Sequence, residues 1–137
     1  MIRYRTRDLT RLVDQSCSCG NILPMHDRIL GRSDDMIIFR AVNIYPGQID
    51  EVLSTIAEAN CEYQVHLDRK DDGKDYMTIR LECCEDFDLT RKPELARRVQ
   101  AEIKNKIMVS CEVDLVDYCS LPRSERKSKR FFDNRPE

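Results

Sequence analysis

The stretch YQVHLDRKDDGKDYMTIRLEC, residues 63–83, decides the fold because it carries a clear strand pattern on both sides of a turn. Apolar and polar residues alternate over 63–68, which is typical of a strand with one buried face and one face in water. The same alternation returns over 77–83. Between these two runs, the Asp-Asp-Gly of 71–73 is a turn signal. The stretch therefore predicts a β-hairpin.

Two amphipathic helices and two further strands are predicted around this hairpin. Residues 49–56 carry apolar side chains at the i, i+3, i+4, i+7 spacing of a helix, and residues 95–107 carry them at intervals of four. The apolar, β-branched stretch 36–44 suits a strand or hairpin, and the alternation over 111–115 indicates a last strand. The order β-α-β-β-α-β is that of the ferredoxin-like split βαβ arrangement. We therefore predict an α+β fold, with an antiparallel sheet and two helices on one face.

The composition limits the class of protein. The chain has 137 residues and a formal net charge of −2. This length suits one domain, and the charge argues against a general nucleic-acid binder, which needs a basic excess. No apolar run approaches the roughly 20 residues that cross a bilayer, and the N-terminus lacks the apolar core of a signal peptide. We therefore expect a cytoplasmic protein.

Seven cysteines are many for a cytosolic chain, and an odd number cannot pair completely in disulfides. Five lie in or beside apolar stretches, where a reduced cysteine acts as a small hydrophobic residue. These five are Cys61, Cys83, Cys84, Cys111 and Cys119. Cys17 and Cys19 form a CxC motif, which supplies half of a tetrahedral zinc site and is followed by His26, with surface thiols as the alternative. His66 is expected to be a plain surface residue of a strand.

Three motifs flank or enter the predicted core. They are IRYRTRDLTRL at residues 2–12, GRSDDMIIFRAVNIYP at 31–46, and LPRSE at 121–125 followed by DNRP at 133–136. In this order, they resemble the C-terminal part of the adenylate-forming enzymes, and within these the phenylacetate–CoA ligase family. The resemblance covers essentially the whole chain. The second motif is distinctive of that branch rather than of acyl–CoA synthetases in general.

The resemblance implies an ATP-dependent ligase that performs two half-reactions at one site. A carboxylate and ATP first give an acyl-adenylate and pyrophosphate, and the CoA thiol then displaces AMP. A small domain rotates about a hinge between the two steps. The implied divisions are the end of a large N-terminal adenylation domain with the CxC loop (1–30), the hinge (31–35), the small ferredoxin-like domain (36–118), and a tail with the catalytic lysine (119–137).

The resemblance also assigns roles to single residues. Asp8 matches an aspartate that accepts hydrogen bonds from the ATP ribose hydroxyls, a role that suits the two acceptor oxygens of a carboxylate. Arg32 matches an arginine near the nucleotide, and Asp34 matches the hinge residue. Arg40 and Ala41 lie where the small domain meets CoA. For Arg40, a plain position on a strand surface is an equal alternative.

Lys127, in the pattern Lys-x-x-Arg with Arg130, matches the catalytic lysine of the family. Its ammonium group would lie between the substrate carboxylate and the α-phosphate, where it would stabilise the charge that develops on the phosphorus oxygens. Arg126 precedes it where the family usually has glycine, and the nearby Lys129 is a second candidate. A solvated basic tail without a catalytic role is the other interpretation.

The resemblance implies ATP, Mg²⁺ and CoA as substrates and cofactors of the full-length enzyme, and an aryl carboxylate such as phenylacetate as the acid. Some relatives carry a structural metal near the CxC loop, which would be Zn²⁺ at Cys17 and Cys19. The chain has only four glycines, too few for a phosphate-cradling loop. We therefore expect a C-terminal fragment that needs a missing N-terminal adenylation domain and is inactive alone. Relatives often dimerise, so a homodimer is one option.

Two other functions are compatible with a ferredoxin-like fold. A stand-alone regulatory module that binds amino acids would leave the hinge and lysine motifs without a purpose. An RNA-binding sheet needs exposed aromatic residues on its central strands. The side chains expected to point outward there are polar instead. They are Thr78, Arg80, Glu82, Glu112 and Asp114.

Overall fold

The computed structural model describes residues 4–15, 17–59, 62–123 and 130–136. Within them, short strands and two α-helices follow one another along the chain. The strands are β1 (Asp8–Leu9), β2 (Leu12–Val13), β3 (Met25–His26), β4 (Gly31–Arg32), β5 (Ile37–Phe39), β6 (Val42–Ile44), β7 (Tyr63–Arg69), β8 (Asp75–Glu82), β9 (Glu112–Val116) and β10 (Phe131–Asp133). The helices are α1 (Pro46–Ser54) and α2 (Lys92–Ile107).

β7 and β8 form the predicted hairpin. They pair antiparallel along their length, with Val65 opposite Ile79. In the turn between them, the amide of Gly73 donates a hydrogen bond of 2.9 Å to the carbonyl of Lys70. Gly73 has a φ of +74°, a left-handed conformation that glycine adopts without steric cost. The Asp-Asp-Gly turn signal is therefore confirmed.

Both predicted helices are present. α1 begins after Tyr45, whose amide donates a hydrogen bond of 2.9 Å to the Gln48 side chain. Pro46 occupies the first turn, where its missing N–H removes no helical hydrogen bond. α2 ends at Ile107, and the cap residue that follows it, Met108, has a left-handed φ of 63°. In the described part of the chain, neither helix has the length and apolar character needed to cross a membrane.

The four-stranded sheet is mixed, with the order β10-β7-β8-β9. β7 and β8 are antiparallel, whereas β8–β9 and β10–β7 are parallel pairs. α2 makes the crossover between the parallel strands β8 and β9. The α+β class with two helices is confirmed. The predicted ferredoxin-like βαββαβ antiparallel sheet is wrong in its topology.

Residues 37–44 do not join this sheet because they fold back on themselves. β5 and β6 pair with each other, with Phe39 opposite Val42. Between them, Arg40 and Ala41 have φ values of 47° and 64°, as in the tight two-residue turns that join adjacent antiparallel strands. The edge of β7 is covered instead by β10, a strand that lies within the charged tail. A prediction from local pattern missed this pairing because it is made at long range.

The two helices and the sheet bury one core. The helices contact each other, and their apolar faces join the alternate residues of β7 and β8 in a single buried cluster. Phe39 and Ile44 of the β5–β6 hairpin are fully buried in the same cluster. The hairpin is therefore packed onto the domain although it does not pair with the main sheet.

The segment before the hairpin forms two small antiparallel pairs, β1–β4 and β2–β3. Several of its large apolar side chains are exposed, among them Leu12, Ile22 and Leu23. Strand β4 of the pair β1–β4 consists of residues 31–32, the first two residues of the predicted hinge. This segment therefore brings the N-terminal motif to the predicted hinge.

Candidate functional site

The pairing of β1 with β4 brings two predicted nucleotide-binding residues together. Asp8 lies opposite Arg32 in the register of the pair. The pair is extended by a hydrogen bond of 2.7 Å from the amide of Ser33 to the carbonyl of Arg7. Within the described residues, no hydrogen bond or ion pair engages the carboxylate of Asp8, which is exposed. That carboxylate is therefore open to a ligand.

Asp34, the predicted hinge residue, is held by two arginines. Arg32 donates two hydrogen bonds to its carboxylate, from Nε to Oδ1 at 3.0 Å and from Nη2 to Oδ2 at 2.8 Å. Arg7 lies 3.7 Å from the same carboxylate. An exposed ion pair of this kind contributes at most about 1 kcal/mol. The structure thus brings Asp8, Arg32 and Asp34 together. A weak ion pair joins Arg32 to Asp34.

Arg40 and Ala41, predicted to meet CoA, form the turn of the β5–β6 hairpin. The guanidinium of Arg40 donates to the backbone carbonyl of Asp75 from Nε at 2.9 Å and from Nη2 at 2.6 Å. It also lies over the rings of Phe39 and Tyr76, 5.2 and 5.7 Å from their centroids. Arg40 is therefore fixed in place rather than projecting freely from a strand. A role toward CoA stays a prediction.

A cavity of about 510 Å³ lies between the hinge and the tail. Its lining includes Asp34 and Asp35 of the hinge, Asp50 of α1, Tyr63 of β7, and Arg130. Acidic groups line it from the predicted hinge and from α1, and the tail contributes both the guanidinium of Arg130 and the carboxylate of Asp133. The cavity thus brings the hinge close to the residue that follows the predicted lysine segment.

Arg130 anchors the tail at the end of that segment. Its guanidinium contacts Asp50 at 2.8 Å and Glu62 at 3.6 Å, and lies 4.8 Å from the ring centroid of Tyr63. The hydroxyl of Tyr63 donates to Asp50 at 2.7 Å. Burial, and then the neighbouring Asp50 carboxylate, raise the pKa of Tyr63 above its ordinary range. Tyr63 therefore stays a neutral donor.

Glu82 anchors the tail before the lysine segment. Its carboxylate is fully buried and accepts hydrogen bonds from the Leu121 amide at 2.6 Å and from Arg123 Nη2 at 2.9 Å. The expectation that Glu82 points into water was wrong, because Leu121 and Arg123 contact its carboxylate at the end of β8. Lys127 and Lys129 lie in residues 124–129, outside the described residues, so the catalytic lysine stays a prediction.

Arg135, in the DNRP motif, joins three parts of the domain. It donates to Asp133 from Nε at 2.9 Å and from Nη2 at 2.7 Å. Its Nη1 donates to Asp75 Oδ2 at 2.9 Å and to the carbonyl of Ile38 at 3.0 Å. The motif carried part of the family resemblance, but no pattern in the sequence assigned Arg135 a role. The sequence signal that was available is the isolated Asp-Asn-Arg after a basic run.

We expect the acid stability of the domain to depend on Arg135. Hydrogen bonds from Arg69 and then Arg135 hold the pKa of Asp75 below its ordinary value of 3.8, and Arg135 also lowers the pKa of Asp133. Such carboxylates stabilise the fold above their unfolded-state pKa, and this stabilisation is lost as the pH falls through the folded-state pKa. Urea unfolding from about pH 6 to about pH 2 should therefore show a smaller loss of stability for Arg135→Gln than for the wild type.

The exposed Arg97 of α2 offers the matched control for this measurement. Arg97→Gln should reproduce the wild-type dependence on pH. If Arg135→Gln loses as much stability toward low pH as the wild type does, the two carboxylates do not owe their lowered pKa values to Arg135.

The CxC motif and the histidines are not arranged as a metal site. The amide of Cys19 lies 3.5 Å from the sulfur of Cys17, and a hydrogen bond with Cys17 lowers the pKa of Cys19. Within the described residues, no group of three His, Cys, Asp or Glu side chains could hold a metal ion. Among the described residues, the predicted zinc half-site therefore finds no completing ligands. His66 is half-buried and stacks on Phe132 of β10 at 4.8 Å, so the expectation of a plain surface residue was wrong.

Most of the core-associated cysteines behave as predicted. Cys83 is buried, and burial raises the pKa of its thiol. Burial also raises the pKa of Cys111 to about 11. Cys119 is exposed and lies 3.5 Å from the Arg123 guanidinium, so it does not act as a small core residue. Cys61 lies outside the described residues.

Comparison with solved structures supports a relation to CoA ligases. A domain of phenylacetate-coenzyme A ligase from Bacteroides vulgatus is 34% identical, with a TM-score of 0.67 and with 75% of this chain and 95% of that domain covered. 2-Hydroxyisobutyryl-CoA ligase in its postadenylation state is 26% identical, with a TM-score of 0.80 and with 93% of this chain and 28% of that ligase covered. The same ligase in its thioesterification state gives a TM-score of 0.69 with 94% of this chain covered.

Comparison of sequences agrees. The chain is 36% identical to the phenylacetate-coenzyme A ligase of Escherichia coli (strain K12) over 138 residues. This match covers 98% of the chain but spans only 31% of the length of that ligase. The family model described as the AMP-binding enzyme C-terminal domain matches residues 41–135, well over half of the chain. The chain therefore belongs to the family of AMP-binding enzyme C-terminal domains.

Proposed function

We propose that this chain is the C-terminal lid of an ATP-dependent aryl-acid–CoA ligase of the phenylacetate type. The activated acid is an aryl carboxylate, the first products are acyl-adenylate and pyrophosphate, and the second are acyl-CoA and AMP. The acyl and adenine pockets belong to an N-terminal adenylation domain. The lid supplies residues to each half-reaction in turn.

The observation that carries this proposal is the grouping of Asp8, Arg32 and Asp34 at the β1–β4 pair. The free carboxylate of Asp8 can accept two hydrogen bonds from the vicinal hydroxyls of a ribose. Arg32 lies opposite it, two residues before Asp34. A nucleotide bound at Asp8 would therefore lie beside the point about which the lid turns.

Comparison with two states of one ligase is compatible with a rotation between the matched parts. The postadenylation and thioesterification structures of 2-hydroxyisobutyryl-CoA ligase are both 26% identical to this chain, yet their TM-scores with it are 0.80 and 0.69 at nearly equal coverage. Since the identity is the same, the difference points to a different arrangement of the matched parts. Rotation of a few backbone torsions around Asp34 is an ordinary mechanism for such a difference.

In the adenylation step, the proposed role of Lys127 is electrostatic. An ammonium group beside the α-phosphate stabilises the negative charge that grows there as the carboxylate attacks and pyrophosphate leaves. Anchors on both sides of residues 124–129 support this role, because Glu82 holds the chain before them and Asp50 holds Arg130 after them.

In the thioester step, rotation would bring the turn of the β5–β6 hairpin toward CoA. Arg40 supplies a positive charge there that suits the phosphates of CoA. Ala41 has a left-handed φ of 64°, which glycine adopts more easily, so its methyl group limits how closely backbone and ligand can approach. The alternative of an amino-acid-binding module loses its support, because it depended on the ferredoxin-like sheet.

A chimera tests the proposal. This chain replaces the matching region of the E. coli phenylacetate-coenzyme A ligase, and AMP and acyl-CoA are measured with phenylacetate, ATP and CoA. The chimera should form both products, whereas the same ligase without the region should form little of either. A chimera that is folded by circular dichroism but no more active than the truncated ligase contradicts the proposal.

In the same chimera, Asp8→Ala is expected to weaken ATP binding. The loss of charge-assisted hydrogen bonds to the ribose corresponds to about 1.5–3 kcal/mol, or an increase in the KM for ATP of about 10- to 150-fold. Asp14, an exposed carboxylate of the same segment, provides the control. If the Asp8→Ala chimera has the same KM for ATP as the Asp14→Ala chimera, Asp8 does not hold the nucleotide.

A further inference from the structure

Besides its buried core residues, hydrogen bonds of Arg135 connect the β5–β6 hairpin to the sheet. The carbonyl of Ile38 in β5 accepts a hydrogen bond of 3.0 Å from Arg135. The same nitrogen of Arg135 donates to the carboxylate of Asp75, at the start of β8, at 2.9 Å. The side chain of Arg135 is only 17% exposed, so these contacts are largely shielded from water.

Asp75 is the common partner of three arginines. Its carboxylate accepts from Arg69 at 2.8 Å and from Arg135 at 2.9 Å. Its backbone carbonyl accepts both contacts from Arg40, at 2.9 and 2.6 Å. The hairpin is therefore connected to Asp75 at two points. The carbonyl of Ile38 is connected through Arg135, and the side chain of Arg40 contacts Asp75 directly.

We propose that Arg135 is a positioning residue that, through Asp75 and the Ile38 carbonyl, fixes the turn at Arg40 and Ala41 for the thioester-forming step. This inference rests on the proposed function. Arg135 does not itself touch a substrate in this account. It acts by locking the hairpin, the start of β8 and the tail into one unit, so that the turn keeps its orientation when the lid rotates.

The geometry requires a planar guanidinium. Arg135 uses Nε and Nη2 on Asp133 while Nη1 serves Asp75 and Ile38, and one ammonium group cannot reproduce this set of directions. An Arg135→Lys variant keeps the positive charge but loses the planar set of guanidinium donors. The variant should still fold, because Phe39 and Ile44 keep the hairpin on the core.

Hydrogen exchange on the 137-residue chain tests the positioning directly. In Arg135→Lys, the paired amides of β5 and β6 should exchange about tenfold faster, while those of β7 and β8 stay unchanged. Arg97→Lys, on the exposed face of α2, is the matched control and should change neither set. Unchanged protection of the hairpin in Arg135→Lys overturns the proposal.

The half-reactions of the chimera test the link to catalysis. Arg135→Lys should slow thioester formation from preformed acyl-adenylate about fivefold or more relative to its effect on adenylation, since the tail keeps its pairing with β7 and its Arg130 contacts. Equal effects on the two steps overturn the assignment to the thioester step. If the chimera without substitutions is inactive, the proposed function is refuted. The hydrogen-exchange data then test on their own whether Arg135 positions the hairpin.

Discussion

Lys127→Ala is expected to lower the rate of acyl-adenylate formation by about 10²- to 10³-fold in the chimera, the usual effect of removing one preorganised charge-stabilising group. In the proposed mechanism, the ammonium group acts on the charge that develops at the α-phosphate. The thioester step starts from an adenylate that is already formed, so its rate from preformed acyl-adenylate should be largely retained. Pyrophosphate release and AMP release, measured separately, distinguish the two steps.

Two further lysine variants complete this experiment. Lys129→Ala tests the second candidate in the same segment, and Lys104→Ala, on the exposed side of α2, controls for the loss of a positive charge. Both should keep adenylation within about threefold of the wild type, as expected of residues outside the reacting centre. A large loss in Lys129→Ala with normal adenylation in Lys127→Ala would transfer the catalytic role to Lys129.

Glu82→Ala is expected to lower the free energy of unfolding by about 2–4 kcal/mol, because it removes the buried acceptor of a backbone amide and a charged partner together. The amide of Leu121, itself buried, loses its acceptor, and Arg123 loses its ion pair. Urea unfolding followed by circular dichroism measures the change. In the chimera the same variant should also slow adenylation, since the chain that enters the lysine segment is released.

Glu112 supplies the matched control, because it is an exposed glutamate on the neighbouring strand β9. Glu112→Ala should change stability by no more than about 0.5 kcal/mol. The loss of stability in Glu82→Gln should lie between those of Glu82→Ala and Glu112→Ala. The amide oxygen still accepts a hydrogen bond from Leu121, but the charge opposite Arg123 is gone. Equal stability of the Glu82→Ala and Glu112→Ala variants would show that the buried carboxylate is not an anchor.

Local patterns predicted the elements of this fold better than their arrangement. The alternation over 63–83 and the spacing of apolar residues in both helices depend on neighbours in sequence, and both were confirmed. The partners of β7 and β8 depend on contacts between distant residues. The β-branched run at 36–44 was compatible with a single strand or with a hairpin. The left-handed turn at Arg40 and Ala41 shows that it is a hairpin.

The candidate site shows the same division. The motifs singled out Asp8, Arg32 and Asp34 before any contact was known, and the β1–β4 pair accounts for their proximity. The hinge itself stays a prediction. Glu82 and Arg135 contact partners that are 39 and 60 positions away in the sequence, respectively. A strand pattern places Glu82 on a polar face and says nothing of the loop that covers it, so neither anchor could be found from local sequence.

The pairing of β10 with β7 also bears on the order in which the domain folds. Phe131 and its partner Val65 lie far apart in the chain, and the neighbouring contact between Asn134 and Asp68 spans 66 residues. Closing so long a loop costs entropy before any contact repays it, whereas the β7–β8 hairpin closes locally. The hairpin should form early and the tail should dock late. Residues 131–133 would then be among the last to pair, so the activity of the proposed lid would depend on completed folding.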